Sequence, residues 1–277
     1  MSFSCVHGGE DFDARCQPEW EPAKVVAGPG GTLKGLSCAA PPICAFDVLQ
    51  PVRLDNNVYD LGQNAAMMPR LRATGPAGSV VKIIPSELLK PSGELDDTVC
   101  GGKSYWSYTL AGTGNEAWFP KFFYRGARYL KVECTGGAEV TSLEGVVVHS
   151  SAAPVGQFSC SNDLFNRIRT LVRWAQRSNM MSVLTDCPHR EKLGWLEQYH
   201  LNGPSLRYEF DLTTLFAKGM NDMADSQLED GLVPDIAPEY VKFSGGFRDS
   251  PEWGSAVVLV PWQQYQFSGD LQLLRRY

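Results

Sequence analysis

The chain has 277 residues, of which 43% are hydrophobic, 20% charged and 11% aromatic. This composition is typical of a globular protein with about two domains, and it excludes a wholly disordered chain. The formal net charge of -6 disfavours nucleic-acid binding, because affinity for phosphate depends on cationic contacts.

Membrane insertion is not indicated either. The longest apolar run, residues 256–262, is far shorter than the roughly 18 residues that cross a bilayer. The N-terminus has neither the basic region nor the apolar stretch of a signal peptide. We therefore expect no membrane partner, and the sequence leaves the cellular location unknown.

Eight cysteines are spread along the chain without any C-x-x-C pair, and only four histidines accompany them. This spacing disfavours a structural zinc site. A chain of this length does not need a disulfide framework, so mostly reduced thiols are expected. The even number leaves disulfides open.

The first half of the chain has the period of β-structure. Residues 1–45 carry little signal beyond Gly and Pro punctuation, and we interpret them as a connector or a partial β-domain. From residue 46 to 155, short β-branched segments such as residues 80–84 alternate with turn signals. Trp106, Tyr108 and Leu110 alternate with polar residues. This pattern predicts a β-sandwich domain.

The period changes to that of helices near residue 160. An apolar stripe that includes Leu164 and Ile168 predicts a helix, with Ser161 or Asn162 as its N-cap. A second helix is expected over residues 211–229. A third begins at residue 250 and stops at Gly269, and Pro261 is expected to kink or restart it. Residues 156–277 are therefore predicted to be a helical domain.

Acidic, basic and aromatic residues are concentrated in residues 185–200, TDCPHREKLGWLEQYH. Pro188 predicts a loop here, where a rigid scaffold can present functional groups. Glu191 could act as a general acid, Asp186 and Arg190 could hold hydroxyl groups, and Trp195 could line a sugar face. The alternative is an ordinary loop with an internal ion pair.

Other chemistry is less favoured by the spacing. Cys187 and His189 could form a thiol nucleophile, but neighbours in sequence seldom have the required geometry. Asp186, His189 and Glu191 do not have a recognised metal-ligand spacing. A second cluster, residues 248–254, places carboxylates and Trp253 at a predicted helix start. Taken alone, that cluster is better explained as a helix cap with a buried Trp.

These motifs resemble those of the inverting α-L-rhamnosidases of glycoside hydrolase family 78. The residues 186–195, DCPHREKLGW, are similar to the family's D-C-P-x-R-(D)-E-x-L-G-W loop. Weaker similarities come in the family's order. They are DLGQN at residues 60–64, FP at 119–120, YRGARY at 124–129, CSN at 160–162, WGSA at 253–256 and VPW at 260–262.

The resemblance implies a multidomain β + α protein, with a β-sandwich followed by the start of an (α/α)6 barrel. It implies hydrolysis of terminal α-L-rhamnose with inversion, on a rhamnose-containing glycoside or oligosaccharide. Glu191 would be the general acid, Asp186 and Arg190 would bind rhamnose hydroxyls, and Trp195 and Trp253 would line the pocket. Neither a cofactor nor a metal is implied.

The resemblance also places the family's general base beyond Tyr277, so the 277-residue chain is expected to be a fragment that is inactive alone. Two alternatives remain open at this point. The chain could be a non-catalytic carbohydrate-binding or interaction module, or it could belong to another (α/α)6 glycosidase that acts on a different sugar.

Overall fold

The computed structural model describes residues 1–28, 30–31, 41–98 and 102–277. The chain divides into two compact units, one made mainly of residues that precede Val147 and one made of Val147–Tyr277 with short earlier segments such as Asn64–Met67. None of the helices in the described ranges is long and apolar enough to cross a membrane.

Twelve strands occur in the described residues. They are β1 (Phe3–Cys5), β2 (Gly9–Asp13), β3 (Ile43–Leu49), β4 (Val52–Arg53), β5 (Val58–Thr74), β6 (Val80–Ser86), β7 (Leu88–Leu89), β8 (Leu95–Asp96), β9 (Tyr105–Thr109), β10 (Glu116–Trp118), β11 (Arg125–Thr135) and β12 (Glu139–Ser150). Ten of them form one sheet in the order β1-β2-β9-β6-β11-β5-β12-β3, with β4 and β10 paired to β5. Strands β7 and β8 pair separately.

The predicted period-2 segments are strands. In β6, Val81 and Ile83 are buried and their neighbours are partly exposed. In β9, Trp106 and Tyr108 point into the same core, and the Trp106 indole donates a 3.0 Å hydrogen bond to the Phe123 carbonyl. Alternation of apolar and polar side chains fixes which face of a strand is buried, and this confirms the β-rich character of the first half.

The N-terminal segment belongs to this sheet, because β2 pairs in parallel with β9. Glu10 on β2 is fully buried, and its carboxylate accepts hydrogen bonds from the backbone N–H groups of Lys121, Phe122 and Phe123. A buried carboxylate needs such donors to replace water. Sequence patterns gave no sign of β1 and β2, because they are short and carry polar residues.

The second unit is helical. Its helices are α1 (Asp163–Ser178), α2 (Glu197–His200), α3 (Gly203–Glu209), α4 (Thr213–Asp225), α5 (Pro251–Gly254), α6 (Ala256–Ser268) and α7 (Leu271–Arg276). A β-rich part followed by a helical part is therefore confirmed. Helices α2 and α3 were not expected, since four and seven residues are too few to show a helical period.

Helix α1 has the predicted cap, because the Asn162 side chain accepts a hydrogen bond from the backbone N–H of Leu164. Its apolar stripe, however, lies on the surface. Leu164 is 53% exposed and Leu171 is 68% exposed, and Phe165, Ile168 and Val172 are exposed as well. The sequence period identified the helix and its stripe, but this stripe is not part of the core of the described residues.

The core of the helical unit forms where α2, α4 and α6 meet. Tyr199 and Phe216 are fully buried, and their rings meet edge to face with centroids 5.5 Å apart. Gly219 on α4 is required by this packing, because a Cβ atom there would lie 2.3 Å from the Tyr199 ring. Met220 and Val260 belong to the same buried cluster as Tyr199 and Phe216.

Two expected helix limits are wrong. The helix expected over residues 211–229 is α4 and ends at Asp225, because residues 228–232 close a separate turn with Gly231 at φ +91°. Pro261 was expected to kink or restart the third helix. It lies inside α6, so the helix does not restart there, and the restart occurs at Ser255 instead. A single missing backbone N–H is tolerated there. The C-cap at Gly269 (φ +70°) and the N-cap at Asp270 are confirmed.

Five described cysteines are free thiols: Cys16, Cys44, Cys134, Cys160 and Cys187. The expectation of mostly reduced cysteines also covered Cys38 and Cys100, which lie outside the described residues.

Candidate active site

The loop that carries Glu191 is closed by its own hydrogen bonds. The backbone N–H of Asp186 donates to the Leu193 carbonyl, and the Leu193 N–H donates to Oδ1 of Asp186 at 3.1 Å. The Cys187 thiol donates to Oδ2 of Asp186 at 3.0 Å and accepts from the Glu191 N–H at 3.2 Å. These contacts fix the backbone at Glu191. Cys187 therefore shapes the loop, and its thiol bonds to Asp186 and Glu191.

Tyr240 holds the other side of the same loop. Its hydroxyl donates to the Lys192 carbonyl at 2.8 Å and accepts from the Gly194 N–H at 3.0 Å. Lys192 has φ +55°, a conformation that L residues rarely adopt. The Tyr240 hydroxyl therefore bridges the backbone where the loop turns back toward Trp195.

Glu191 is held by two donors. The indole N–H of Trp195 donates to its Oε2 at 3.1 Å, and a guanidinium nitrogen of Arg190 lies 3.2 Å from its Oε1. The side chain of Glu191 is 37% exposed and that of Arg190 is 55% exposed. Glu191 is thus oriented by the protein and still reaches solvent, as a group that transfers a proton to a substrate must.

Aromatic rings form the wall beside Glu191. The ring of Trp195 stacks on Phe243 with centroids 5.3 Å apart, and it is tilted by 58° against Trp253 with centroids 6.1 Å apart. Large flat apolar surfaces of this kind suit the C–H face of a pyranose.

The carboxyl groups and aromatic rings line one cleft of about 720 Å³, a volume in the range of small-molecule sites. Its lining includes the carboxyl residues Asp186, Glu191, Glu197 and Asp235 and the aromatic residues Trp195, Phe243, Phe247 and Trp253. Four of the five site residues predicted from sequence, Asp186, Glu191, Trp195 and Trp253, therefore lie together. Arg190 does not line the cleft, and its guanidinium is placed beside Glu191 instead.

Asp235 was noticed in the sequence without an assigned purpose. It is 2% exposed, its Oδ1 accepts from the Ser250 N–H at 2.7 Å, and its Oδ2 is 2.9 Å from the Ser250 hydroxyl. Its backbone carbonyl accepts from the Leu196 N–H. Asp235 therefore joins the loop that precedes Trp253 to the segment that follows Trp195.

Burial raises the pKa of the Asp235 carboxyl above its usual range, although both hydrogen bonds from Ser250 oppose the shift. The neighbouring carboxylates Asp249 and Glu252 add to it, since like charges disfavour ionisation.

Glu197, the first residue of α2, was missed. Its position next to Gln198 on a four-residue helix carries no pattern that marks a site. Burial raises the pKa of the Glu197 carboxyl, because the charged form loses water. The Gln198 amide opposes the shift, and the nearby Asp186 carboxylate adds to it.

The second cluster predicted from the sequence, residues 248–254, has one residue in a structural ion pair and one at the cleft. Both guanidinium contacts of Arg248 go to Glu239, at 2.8 and 3.1 Å. Trp253 lies near the start of the short helix α5, as the helix-start interpretation expected, and it also lines the cleft.

Comparisons with known proteins point to one family along most of the chain. Residues 50–149 match the sequence model of the bacterial α-L-rhamnosidase concanavalin-like domain, and residues 153–277 match that of the bacterial α-L-rhamnosidase six-hairpin glycosidase domain. An α-L-rhamnosidase of Streptomyces avermitilis is 36% identical over 78% of this chain and 21% of its own length. One from Formosa agariphila is 28% identical over 99% of this chain and 32% of its own length.

Solved structures show the same relationship. The α-L-rhamnosidase from Dictyoglumus thermophilum superimposes with a TM-score of 0.89 at 30% identity, covering 98% of this chain and 32% of that chain. The S. avermitilis enzyme complexed with L-rhamnose gives 0.78 at 33% identity, covering 86% and 24%. The chain thus spans about a fifth to a third of the length of these relatives. The two domain matches and the named relatives agree, and the chain belongs to the bacterial α-L-rhamnosidase family.

Proposed function

We propose that this chain supplies the general acid and part of the sugar pocket of an inverting α-L-rhamnosidase. The observation that carries the proposal is the position of Glu191, fixed by Trp195 and Arg190 at a cleft walled by aromatic rings. The substrate would be a rhamnose-containing glycoside or oligosaccharide with α-L-rhamnose at its non-reducing end.

In this proposal Glu191 protonates the glycosidic oxygen as the bond to the anomeric carbon breaks. Two donors flank its carboxyl group, so the carboxylate left behind is stabilised by hydrogen bonds that are already in place. Trp195 and Trp253 hold the apolar face of the rhamnose ring. Asp186, which lines the cleft, is assigned to a rhamnose hydroxyl, and Arg190, which does not line it, is assigned to orienting Glu191.

Inversion requires a second carboxylate, which activates water on the opposite face of the sugar, with the two carboxyl groups roughly 6.5–9.5 Å apart. The resemblance to the family places that general base after Tyr277. We therefore propose that residues 156–277 are the first part of an (α/α)6 barrel, preceded by a β-sandwich over residues 46–155. The 277-residue chain is then expected to be inactive by itself.

The test is hydrolysis of p-nitrophenyl α-L-rhamnoside, measured on the 277-residue chain and on a polypeptide extended to the length of the relatives. Activity only in the longer polypeptide, abolished by Glu191→Gln, supports the proposal. The matched control is Glu229→Gln, an exposed carboxylate outside the cleft.

The same assay separates the alternatives. Proton NMR of the first product distinguishes inversion from retention, because an α-rhamnoside cleaved with inversion releases the β-anomer. Faster cleavage of an α-glucoside would favour another glycosidase. Sugar binding without hydrolysis by the longer polypeptide would favour a binding module.

A further inference from the structure

Two segments of the helical unit, residues 192–196 and 235–240, lie side by side next to Glu191. Backbone contacts join them at three successive places, which are the Leu196 N–H with the Asp235 carbonyl, the antiparallel bridge of Trp195 with Ile236, and the Ala237 N–H with the Gly194 carbonyl. Toward Glu191, the next connection between the two segments is made by a side chain, the hydroxyl of Tyr240.

This hydroxyl takes the place of a backbone partner at the turn that separates Glu191 from Trp195. It donates to the Lys192 carbonyl at 2.8 Å and accepts from the Gly194 N–H at 3.0 Å. Lys192 has φ +55°, and a backbone conformation of this kind persists only where its surroundings hold it. One hydroxyl group therefore holds the strained turn on both of its sides.

Tyr240 acts on this turn from outside the cleft, because it is not one of the residues that line the cleft. Burial raises the pKa of its hydroxyl, so the group keeps the proton that it donates to Lys192. The residue as a whole is 53% exposed. Its hydrogen bonds, more than the packing of its ring, therefore connect it to the loop of Glu191.

We propose that Tyr240 is a positioning residue for the general acid, and that its hydroxyl sets the orientation of the Trp195 indole and of the Glu191 carboxyl to which that indole donates. This rests on the proposed function, in which Glu191 protonates the glycosidic oxygen. A general acid must lie within hydrogen-bond reach of the atom that it protonates. Loss of the Tyr240 hydroxyl should therefore slow proton transfer and leave sugar binding almost unchanged.

The experiment compares Tyr240→Phe with the unsubstituted polypeptide that hydrolyses p-nitrophenyl α-L-rhamnoside. The substrates are phenyl and 2,4-dinitrophenyl α-L-rhamnoside, because phenolate is a poor leaving group without a proton and dinitrophenolate is a good one. We expect Y240F to lose about tenfold in kcat/KM on the phenyl substrate, with KM little changed, and less than about threefold on the dinitrophenyl substrate. Tyr208→Phe is the matched control, since it removes the same atom from a residue of α3 that is 68% exposed.

A double-variant comparison tests whether Tyr240 acts through Trp195. The variant Trp195→Phe already lacks the indole donor to Glu191. Adding Y240F to W195F should therefore cost less than about threefold on the phenyl substrate, against about tenfold in the unsubstituted background. A role of Tyr240 that is independent of Trp195 would give the same factor in both backgrounds.

Equal losses by Y240F on the two substrates would overturn the proposal, as would unchanged kcat/KM or the same factor in both backgrounds. If Y240F is unfolded at the assay temperature, the comparison is made at a lower temperature at which its circular dichroism matches that of the unsubstituted protein. Glu191→Gln is the reference for the proposed function. If E191Q loses equally on the two substrates, or if the unsubstituted polypeptide cleaves neither, the proposed function fails, which is a different result from a failure of Y240F alone.

Discussion

The indole N–H of Trp195 donates a 3.1 Å hydrogen bond to Oε2 of Glu191, four residues earlier in the chain. One ring therefore has two roles, since its face lines the cleft and its edge orients the carboxyl group. The position of Trp195 is itself fixed, because its backbone bridges to Ile236 and its ring stacks on Phe243. The geometry of Glu191 thus depends on a segment more than forty residues away.

Replacing Trp195 by Phe separates the two roles. The ring face is kept and the indole N–H is lost, so one donor to Glu191 disappears. We expect kcat/KM for p-nitrophenyl α-L-rhamnoside to fall about 10- to 100-fold, the range for losing a hydrogen bond to a charged group. The measurement uses the polypeptide that is active in the assay described above.

The matched control for this variant is Trp20→Phe, which removes the same atoms from a side chain that is 87% exposed. Equal activity in W195F and the unsubstituted protein would show that the hydrogen bond to Glu191 does not contribute to the reaction.

Asp235 predicts a pH dependence of stability. Its pKa is raised in the folded protein, so the folded state binds its proton more tightly than the unfolded state does. The linkage relation then gives a contribution to stability that is present at low pH and is lost as the pH rises through the folded-state pKa. Asp235→Asn removes this contribution to the pH dependence of the unfolding free energy. The amide of the introduced Asn can still donate to the Ser250 hydroxyl and accept from the Ser250 N–H.

We therefore expect the midpoint of urea unfolding to depend less on pH in D235N than in the unsubstituted chain as the pH rises above about 4, the usual pKa of an aspartate. Asp235→Ala, which leaves the Ser250 N–H without its partner, should lose about 1–3 kcal/mol of unfolding free energy. Identical pH profiles for D235N and the unsubstituted chain would contradict the assignment of this titration to Asp235.

Local sequence signals predicted the parts of the fold that they control. The alternation around Trp106 fixes a strand because one face must be buried, and Asn162 and Asp270 fix helix starts because their side chains replace missing backbone partners. The DCPHREKLGW motif located the cleft because Asp186, Glu191 and Trp195 are close together in the sequence. Trp253 was found because its segment follows in the order that the family has.

The remainder of the site depends on contacts between distant segments. Asp235 reaches the cleft through Ser250 and Leu196, and no local pattern records those contacts. Glu197 looked like any charged residue near a helix start, and only its burial beside Asp186 distinguishes it. The apolar stripe of α1 shows the same limit, since its period predicts a helix but not what covers it.

Gly219 gives a test of packing in the helical unit. A Cβ atom there would lie 2.3 Å from Cε1 and 2.7 Å from Cζ of the fully buried Tyr199. Although Ala is the better helix former, the ring has no room to move, so Gly219→Ala should cost about 1–3 kcal/mol through overpacking. Gly246→Ala, where nothing lies within 4 Å of the new Cβ, is the control. A more stable G219A in urea unfolding would contradict this packing.

The exposed stripe on α1 predicts self-association of the 277-residue chain. Leu164, Phe165, Ile168 and Leu171 are 45–68% exposed, and contiguous apolar patches on a protein surface tend to associate. Leu171→Glu introduces a charge at the most exposed of these positions, where little packing is lost, so the unfolding free energy should change by no more than about 0.5 kcal/mol. Sedimentation velocity should then show a smaller associated fraction for L171E than for the unsubstituted chain at the same concentration. Lys is not an equivalent choice, because its long apolar stem can still cover the patch. A monomeric unsubstituted chain at high concentration would show that this stripe does not drive association.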